Sequence, residues 1–267
     1  MIGGLIGISA MLYIGSGFVV GLLVGLTGVG GGSLMTPLLM LVFGVHPVAA
    51  VGTDLLYAAA TKSVGTVLHG IAHTVAWRIT GWLALGSVPA AGLTLLALSR
   101  FDLRGEGVER LILLALGTAL ILSAASLMLR RRVAAIAANR LPLAARRTIW
   151  LTVLTGAALG VLVSVSSVGA GALGMTVLVL LYPREPINRL VGTDIAHAVP
   201  LTLLAGIGHW LLGDVRWHLL ALLLVGSVPG ICVGSLLSAR VPERVLRPLL
   251  AITLVVAGVQ MVMNAMS

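Results

Sequence analysis

The sequence predicts an all-α polytopic membrane protein made of two inverted repeats with about five helical segments each. The apolar composition, an internal duplication and two apolar runs too long for one span support this class. Of the 267 residues, 59% are hydrophobic and only 9% are charged, and the mean hydropathy is +1.13. A soluble globule of this size cannot bury that much apolar side chain, so lipid must cover part of it.

Basic residues outnumber acidic ones, 17 to 8, and the formal net charge is +9. In membrane proteins, Arg and Lys between apolar runs mark cytoplasmic loops and meet anionic lipid. This placement argues against binding to nucleic acid. The single cysteine, Cys232, excludes a disulfide framework within the chain. The first residues are expected to belong to the first span rather than to a cleaved signal.

The duplication is visible in the sequence itself. Residues 51–54 (Val-Gly-Thr-Asp) recur as residues 191–194, an offset of 140, and the gapless alignment of 51–100 with 191–240 holds 15 identities in 50 positions. Apolar composition alone does not place Asp, His and Trp in register, so the two halves are expected to fold alike. The aligned pairs include His69 with His209 and Trp77 with Trp217.

A helix needs about 20 residues to cross roughly 30 Å of hydrocarbon. The charge-free run 148–183 has 36 residues, and the run before Asp54 is longer still. A Gly-rich motif interrupts each run, which predicts a full helix, a break and a short broken helix at 33–44 and 172–182. The other segments are expected at about 5–27, 48–68, 80–99, 108–129, 148–167, 187–208, 218–238 and 244–265.

The basic linker 130–147 is expected to join a first repeat at 1–129 to a second at 148–267. If the short helices cross the membrane, the repeats are inverted, and twelve Arg lie on the linker side against four opposite. If the short helices turn back, the repeats are parallel and the count is eight against eight. The positive-inside rule favours inverted repeats with both termini outside.

The two glycine motifs predict an anion site. Glycines let the backbone turn inside the membrane, and the short helix that follows directs unpaired N–H groups and its positive dipole end at the turn. The alternative is that the glycines only allow close helix packing. The candidate substrate-binding residues are Thr27, Gly28, Gly30, Gly31, Gly32 and Ser33 in the first repeat, and Ser166, Ser167, Gly169 and Gly171 in the second.

Asp54 and Asp194 lie inside apolar segments, where an ionisable group is a functional candidate. Each could carry a coupling proton, or each could bond to backbone N–H groups near its own glycine motif and hold the break in shape. The neighbouring Thr53 and Thr193 are candidates for substrate contact or for a structural role.

Lys62 has no partner in the second half, where position 202 is Thr. It could contact the substrate, pair with Asp54, or extend to the membrane interface. His197 lies three residues after Asp194, which allows a proton relay, although a satisfied interior His is the simpler interpretation.

His69 and His209, near helix C-termini, are expected at the membrane interface, and Trp77 and Trp217 are expected to anchor at headgroup level.

These residues resemble the TauE/SafE family of membrane permeases, a group often described as sulfite exporters. The resemblance rests on the Gly-rich motif at 25–32, Pro37 in the short helix, the Gly-Val-x-Pro turn at 44–47 and the Gly-Thr-Asp motif, all arranged again in the second half. It implies transport of sulfite, sulfoacetate or related sulfonates. The second glycine motif departs from the first, with Ser167 and Ala170 in place of Gly28 and Gly31.

The expected function is a secondary transporter of small sulfur oxyanions in a bacterial-type inner membrane, working by rocking of the two repeats and coupled to protons through Asp54 or Asp194. A passive anion channel and an intramembrane serine hydrolase are the alternatives. The expected partners are the oxyanion, lipid and protons. No metal-ligand cluster or nucleotide-binding loop stands out, so we expect no cofactor or metal.

Overall fold

The computed structural model describes residues 2–27, 32–100, 105–138, 143–213, 215–237 and 243–266. Six helices in these ranges are long and apolar enough to cross a membrane, which confirms the predicted class. The described residues form α1 (Ile2–Thr27), α2 (Gly32–Leu41), α3 (Pro47–Ile71), α4 (Trp77–Leu98), α5 (Glu106–Ala138), α6 (Ala145–Ser166), α7 (Ala172–Leu181), α8 (Ile187–Leu211), α9 (Trp217–Leu237) and α10 (Glu243–Met266).

The short broken helices are present where the sequence predicts them. α2 and α7 have ten residues each, and at 1.5 Å per residue each covers about 15 Å, half of the hydrocarbon thickness. α2 ends at Leu41, three residues before the predicted end, and Gly44 then turns the chain with a φ of +61°. Gly28, Gly30 and Gly31 of the first glycine motif lie outside the described residues.

The predicted linker 130–147 is largely helical. α5 continues to Ala138 and α6 already begins at Ala145, because Val133, Ala134 and Ala137 pack against a buried apolar cluster next to α7 and α8. The basic segment is therefore an extension of two helices with a short connection between them.

The two repeats are interleaved through paired helices. α1 packs along α9, α4 along α6, α3 along α8 and α5 along α10. When α1–α5 are matched in order with α6–α10, the pair α1–α9 corresponds to α6–α4, while the other two pairs map onto themselves. This pattern is that of a pseudo-two-fold axis passing between the repeats.

The central pair, α3 and α8, runs antiparallel. Gly192, near the start of α8, lies against Thr74 and His69 at the end of α3, whereas Gly206, near the end of α8, lies against Leu56 near the start of α3. A two-fold axis perpendicular to the helices relates two equivalent helices that pack antiparallel. This arrangement is consistent with the predicted inverted repeats.

Glycines bring the outer pairs into backbone contact. A Cβ on Gly160 of α6 would lie 2.9 Å from the Cα of Ser87 in α4, and a Cβ on the equivalent Gly21 of α1 would lie 2.8 Å from the Cα of Ser227 in α9. Small residues permit such close approach in membrane helices. Each repeat is thus joined tightly to a helix of the other.

Candidate functional site

The break between α6 and α7 is formed by two residues with left-handed backbone. Ser167 ends α6 with a φ of 59°, and its amide donates to the Val163 carbonyl at 2.7 Å. Gly169 follows with a φ of 121°, a conformation that glycine adopts without the steric cost of a Cβ. Ser166 donates its hydroxyl to the Leu162 carbonyl at 2.7 Å, within its own helix.

The first turn of α7 leaves amide groups unpaired. The amides of Leu173 and Gly174 donate to the Gly169 carbonyl at 3.2 and 3.1 Å. Within the described ranges, no acceptor takes the amides at positions 170–172. Unpaired amides at the positive end of a helix dipole favour an anion.

These amides border a small polar cavity. It has a volume of about 10 Å³, room for roughly one water molecule. It brings together the start of α2, the middle of α3, α5 and the break between α6 and α7. The lining residues are Ser33, Lys62, Ser123, Ser167, Gly169, Ala170, Gly171 and Ala172.

Lys62 supplies the positive charge of this cavity. Its residue is only 8% exposed, so it does not extend to the membrane interface, one of the three roles allowed by the sequence. Its ammonium interacts electrostatically with both Asp54 and Asp194. The ion pairs found in the described part of the chain are His46–Glu109 and Arg189–Glu185, so Lys62 is within reach of two carboxylates without forming a direct pair with either.

Each aspartate faces the short helix of its own repeat, but the two environments differ. Asp54 is fully buried, accepts a hydrogen bond from the Thr36 hydroxyl of α2 and faces Ser167. Asp194 packs against Gly174 of α7, and no donor in the described ranges hydrogen-bonds to it. At the position equivalent to Thr36 the second repeat has Met175, which has no hydroxyl to donate.

Thr53 and Thr193 are not among the residues that line the cavity, and both side chains make structural contacts. Thr193 accepts the Ala76 amide at 2.9 Å, and Thr53 accepts the Arg216 amide at 3.1 Å. Ala76 and Arg216 immediately precede α4 and α9. Each threonine therefore binds the residue before a helix of the opposite repeat, and Thr193 also donates its hydroxyl to the Arg189 carbonyl in its own helix.

His197 is an interior histidine, and its Nδ1 is buried without a hydrogen-bond partner among the described residues. Its Nε2 lies 2.8 Å from the Ser87 hydroxyl in α4, and both residues are fully buried. The equivalent pair in the other half is Tyr57 with Ser227, which also interact. This Ser–His pair lies outside the cavity and has a Tyr in its symmetric counterpart, so it gives the hydrolase alternative no support.

His209, which was expected at the membrane interface, is enclosed by protein. It is fully buried, and its Nε2 donates to the Ser164 carbonyl of α6 at 2.9 Å. That carbonyl lies in the last turn of α6, where a side-chain donor can satisfy it. His69 is half-buried beside Thr74 at 2.7 Å. Trp77 and Trp217, by contrast, are 61% and 50% exposed.

Of the residues expected at the substrate site, the structure gathers Ser33, Lys62, Ser167, Gly169 and Gly171 around one cavity. Ser166 donates its hydroxyl within its own helix. The surroundings of Thr27 and Gly32 lie outside what the structure describes.

Sequence reasoning missed Ser123, which lines the cavity from α5, and Thr36, which binds Asp54. The available signal was weak in both cases, since each is a lone hydroxyl inside an apolar run. The Ser123 hydroxyl is buried and has no hydrogen-bond partner in the described part of the protein.

Comparison with known proteins points to one family over nearly the whole chain. The family model described as "Sulfite exporter TauE/SafE" matches residues 13–261. The chain is 39% identical over 250 residues to the probable membrane transporter protein YjnA of Bacillus subtilis (strain 168), covering 92% of this chain and 97% of the relative. No solved structure matches it.

Two further relatives carry similar names. A probable membrane transporter protein of Xylella fastidiosa (strain 9a5c) is 30% identical over 236 residues, 87% of this chain and 86% of that protein. The probable membrane transporter protein YdhB of Bacillus subtilis (strain 168) is 27% identical over 252 residues, 93% of this chain and 98% of the relative. With its membrane-spanning helices, this chain is a multi-pass integral membrane transporter, and it belongs to the sulfite exporter TauE/SafE family.

Proposed function

We propose that this transporter moves small sulfur-containing oxyanions, such as sulfite or a short sulfonate, across the cell membrane by alternating access. The observation that carries the proposal is the cavity in which Lys62 meets the start of α7 and three serine hydroxyls. The family description, which names sulfite, supports the sulfur chemistry.

The donor set suits an oxyanion with several acceptor oxygens. The Lys62 ammonium offers three N–H donors, and charge-assisted hydrogen bonds are the strongest that it can make. Ser33, Ser123 and Ser167 add hydroxyls, and the first amides of α7 add backbone donors. The charge of the anion is thus met from more than one side without a second buried cation.

The size of the cavity favours a carrier over a passive channel. Sulfite is several times larger than the single water molecule that the cavity accommodates. The cavity in this conformation is therefore too small for the anion, and the residues around it must move before an anion binds. A passive channel would need an open path of substrate width, and single-channel conductance in a planar bilayer would reveal one.

Charge balance supports coupling to protons. Lys62 interacts with both carboxylates and Arg130 with Asp194, so two ionised carboxylates already balance these two cations before any anion arrives. A proton on one carboxylate would leave a net positive charge and favour the anion in the same conformation. We place this proton on Asp194, because Asp54 already accepts the Thr36 hydroxyl and faces Ser167.

The test is uptake of radiolabelled sulfite into proteoliposomes, with and without an imposed pH gradient. We expect saturable uptake that sulfoacetate and thiosulfate inhibit and chloride does not. Absence of uptake in vesicles containing correctly folded protein would overturn the substrate assignment and leave the fold and the family unaffected.

A further inference from the structure

A second cavity lies at the opposite end of α7 from the Lys62 cavity. It has a volume of about 680 Å³ and lies between the start of α4, the start of α6 and the connection from α7 to α8. We call it the basic groove and define it by Trp77, Arg78, Trp82, Ile149, Tyr182 and Arg184.

The charge of the basic groove is positive. Glu185 is its acidic lining residue, and it pairs with Arg189 at 3.1 Å. Arg78 and Arg184 form no ion pair with any residue that the structure describes. Two arginine side chains are therefore available to an anionic ligand.

The other repeat has a cavity with which the basic groove can be compared. Tyr13, Phe43, Val45, Arg216, Trp217 and His218 line a smaller cavity of about 360 Å³, which we call the opposite groove. Trp217 is the equivalent of Trp77, and Phe43 is the equivalent of Tyr182. Symmetry of the fold therefore explains why both grooves exist, but it does not explain why only the first collects several arginines.

The surroundings of the basic groove fit a phospholipid. Trp77 is 61% exposed, and tryptophan rings favour the headgroup level of a bilayer. The groove also has an apolar wall formed by Ile79, Ile149 and Leu181, which suits the first part of an acyl chain. The groove is also much larger than a free oxyanion requires.

The segment of the protein next to the groove is also basic, as expected at the cytoplasmic leaflet. Ala145, the first residue of α6, lines the groove, and the exposed Arg146 and Arg147 follow it. Basic residues at one end of a membrane protein mark its cytoplasmic side, where anionic lipids attract arginine. We propose that the basic groove binds an anionic phospholipid, with its phosphate between Arg78 and Arg184.

The experiment uses native mass spectrometry of the full chain in mild detergent with equal amounts of phosphatidylglycerol and phosphatidylcholine. We expect the wild-type protein to retain phosphatidylglycerol preferentially. The double variant Arg78→Gln/Arg184→Gln should lose at least about tenfold in affinity for it. Arg216→Gln, in the opposite groove, is the matched control and should bind as the wild type does.

Three results would overturn the proposal. The first is equal retention of both lipids by the wild-type protein, a measurement that needs no variant to fold. The second is an equal loss of phosphatidylglycerol in Arg216→Gln. The third is displacement of the lipid by millimolar inorganic phosphate, which would identify a site for small free anions instead.

Discussion

Single residues break the symmetry of the site. Lys62 faces both aspartates, while the equivalent position in the second repeat is Thr202, whose hydroxyl donates to the Ala198 carbonyl at 2.8 Å. Asp54 has a hydroxyl partner and Asp194 has none in the described ranges. In the proposed cycle, the first repeat provides the positive charge for the substrate, and the second provides the carboxylate that takes the proton.

The two aspartates should respond differently to loss of charge. Asp194→Asn should remove the acceleration of sulfite uptake by an imposed pH gradient and spare counterflow, because an amide cannot exchange the coupling proton. Asp54→Asn should keep the acceleration. Proteoliposome uptake measured with and without the gradient checks both variants. Full pH-driven uptake by Asp194→Asn would contradict our assignment of the proton.

Thr36→Val should destabilise the protein. The change removes the hydroxyl that Asp54 accepts and leaves a buried carboxylate oxygen unpaired, at a cost of about 1–3 kcal/mol. A thermal unfolding assay in detergent measures the effect, and Thr253→Val, at an exposed position, is the control. An unchanged melting temperature for Thr36→Val would show that the Thr36–Asp54 bond does not hold α2.

Sequence reasoning located the charged residues of the site but not all of its hydroxyls. Lys62, Ser33 and Ser167 stand out because a charge or a glycine motif marks them. Ser123 has nothing beside it to mark it, and only the packing of α5 against α7 brings it to the cavity. Thr53 and Thr193 are the opposite case. Their Gly-Thr-Asp motif is conspicuous in the sequence, but their hydroxyls accept the amides of Arg216 and Ala76 rather than lining the cavity.

At the scale of helices, the outer pairs depend on glycine. The α4–α6 and α1–α9 pairs have equivalent glycines at equivalent contacts, including Gly160 with Ser87 and Gly21 with Ser227. Helix pairing in lipid relies on such close packing, since lipid gives helices little hydrophobic reason to associate. The glycines of these pairs therefore determine how the repeats hold together.

Gly86→Ala should weaken the α4–α6 pair. A Cβ at Gly86 would collide with the backbone of Val153 and lie 2.7 Å from the amide of Ala157, and overpacking of this kind costs about 1–3 kcal/mol. Gly92→Ala, in the same helix, meets nothing within 4 Å and should leave stability unchanged or slightly raised. Thermal unfolding of the two variants compares them, and equal melting temperatures would contradict the packing account.

The order and type of the helices follow from the sequence to within a few residues, because span length and the glycine breaks are local signals. Helix ends were less predictable. α5 extends to Ala138 because Ala137 and its neighbours find an apolar surface on the second repeat. A run of arginines by itself suggests only an exposed linker, so that contact lies beyond sequence reasoning.

At the scale of the whole molecule, interleaving constrains how the transporter moves. The sequence suggests two repeats that rock against each other. In the structure, α1 of the first repeat packs closely against α9 of the second, and α6 of the second packs closely against α4 of the first. We therefore expect the α1–α9 and α4–α6 pairs to be the rigid bodies of the transport cycle.

Distances between pairs of spin labels, measured by double electron–electron resonance, test this expectation. Labels at Leu12 of α1 and Val225 of α9, both exposed, should keep their distance when sulfite is added. Labels at Leu12 and at the exposed Leu85 of α4 should change theirs, because the two pairs move relative to each other. Leu12 and Leu85 both belong to the first repeat. A changed Leu12–Val225 distance with an unchanged Leu12–Leu85 distance would therefore favour rocking of the sequence repeats and contradict this expectation.

The central claim is that the cavity around Lys62 binds the transported anion. The most direct measurement is the initial rate of radiolabelled sulfite uptake by wild-type protein and by Lys62→Thr, which places the second repeat's residue in the first. Loss of a charge-assisted contact should lower uptake at limiting sulfite at least about 30-fold while the protein remains folded in detergent. Uptake by a folded Lys62→Thr at the wild-type rate and with the wild-type KM would contradict the account.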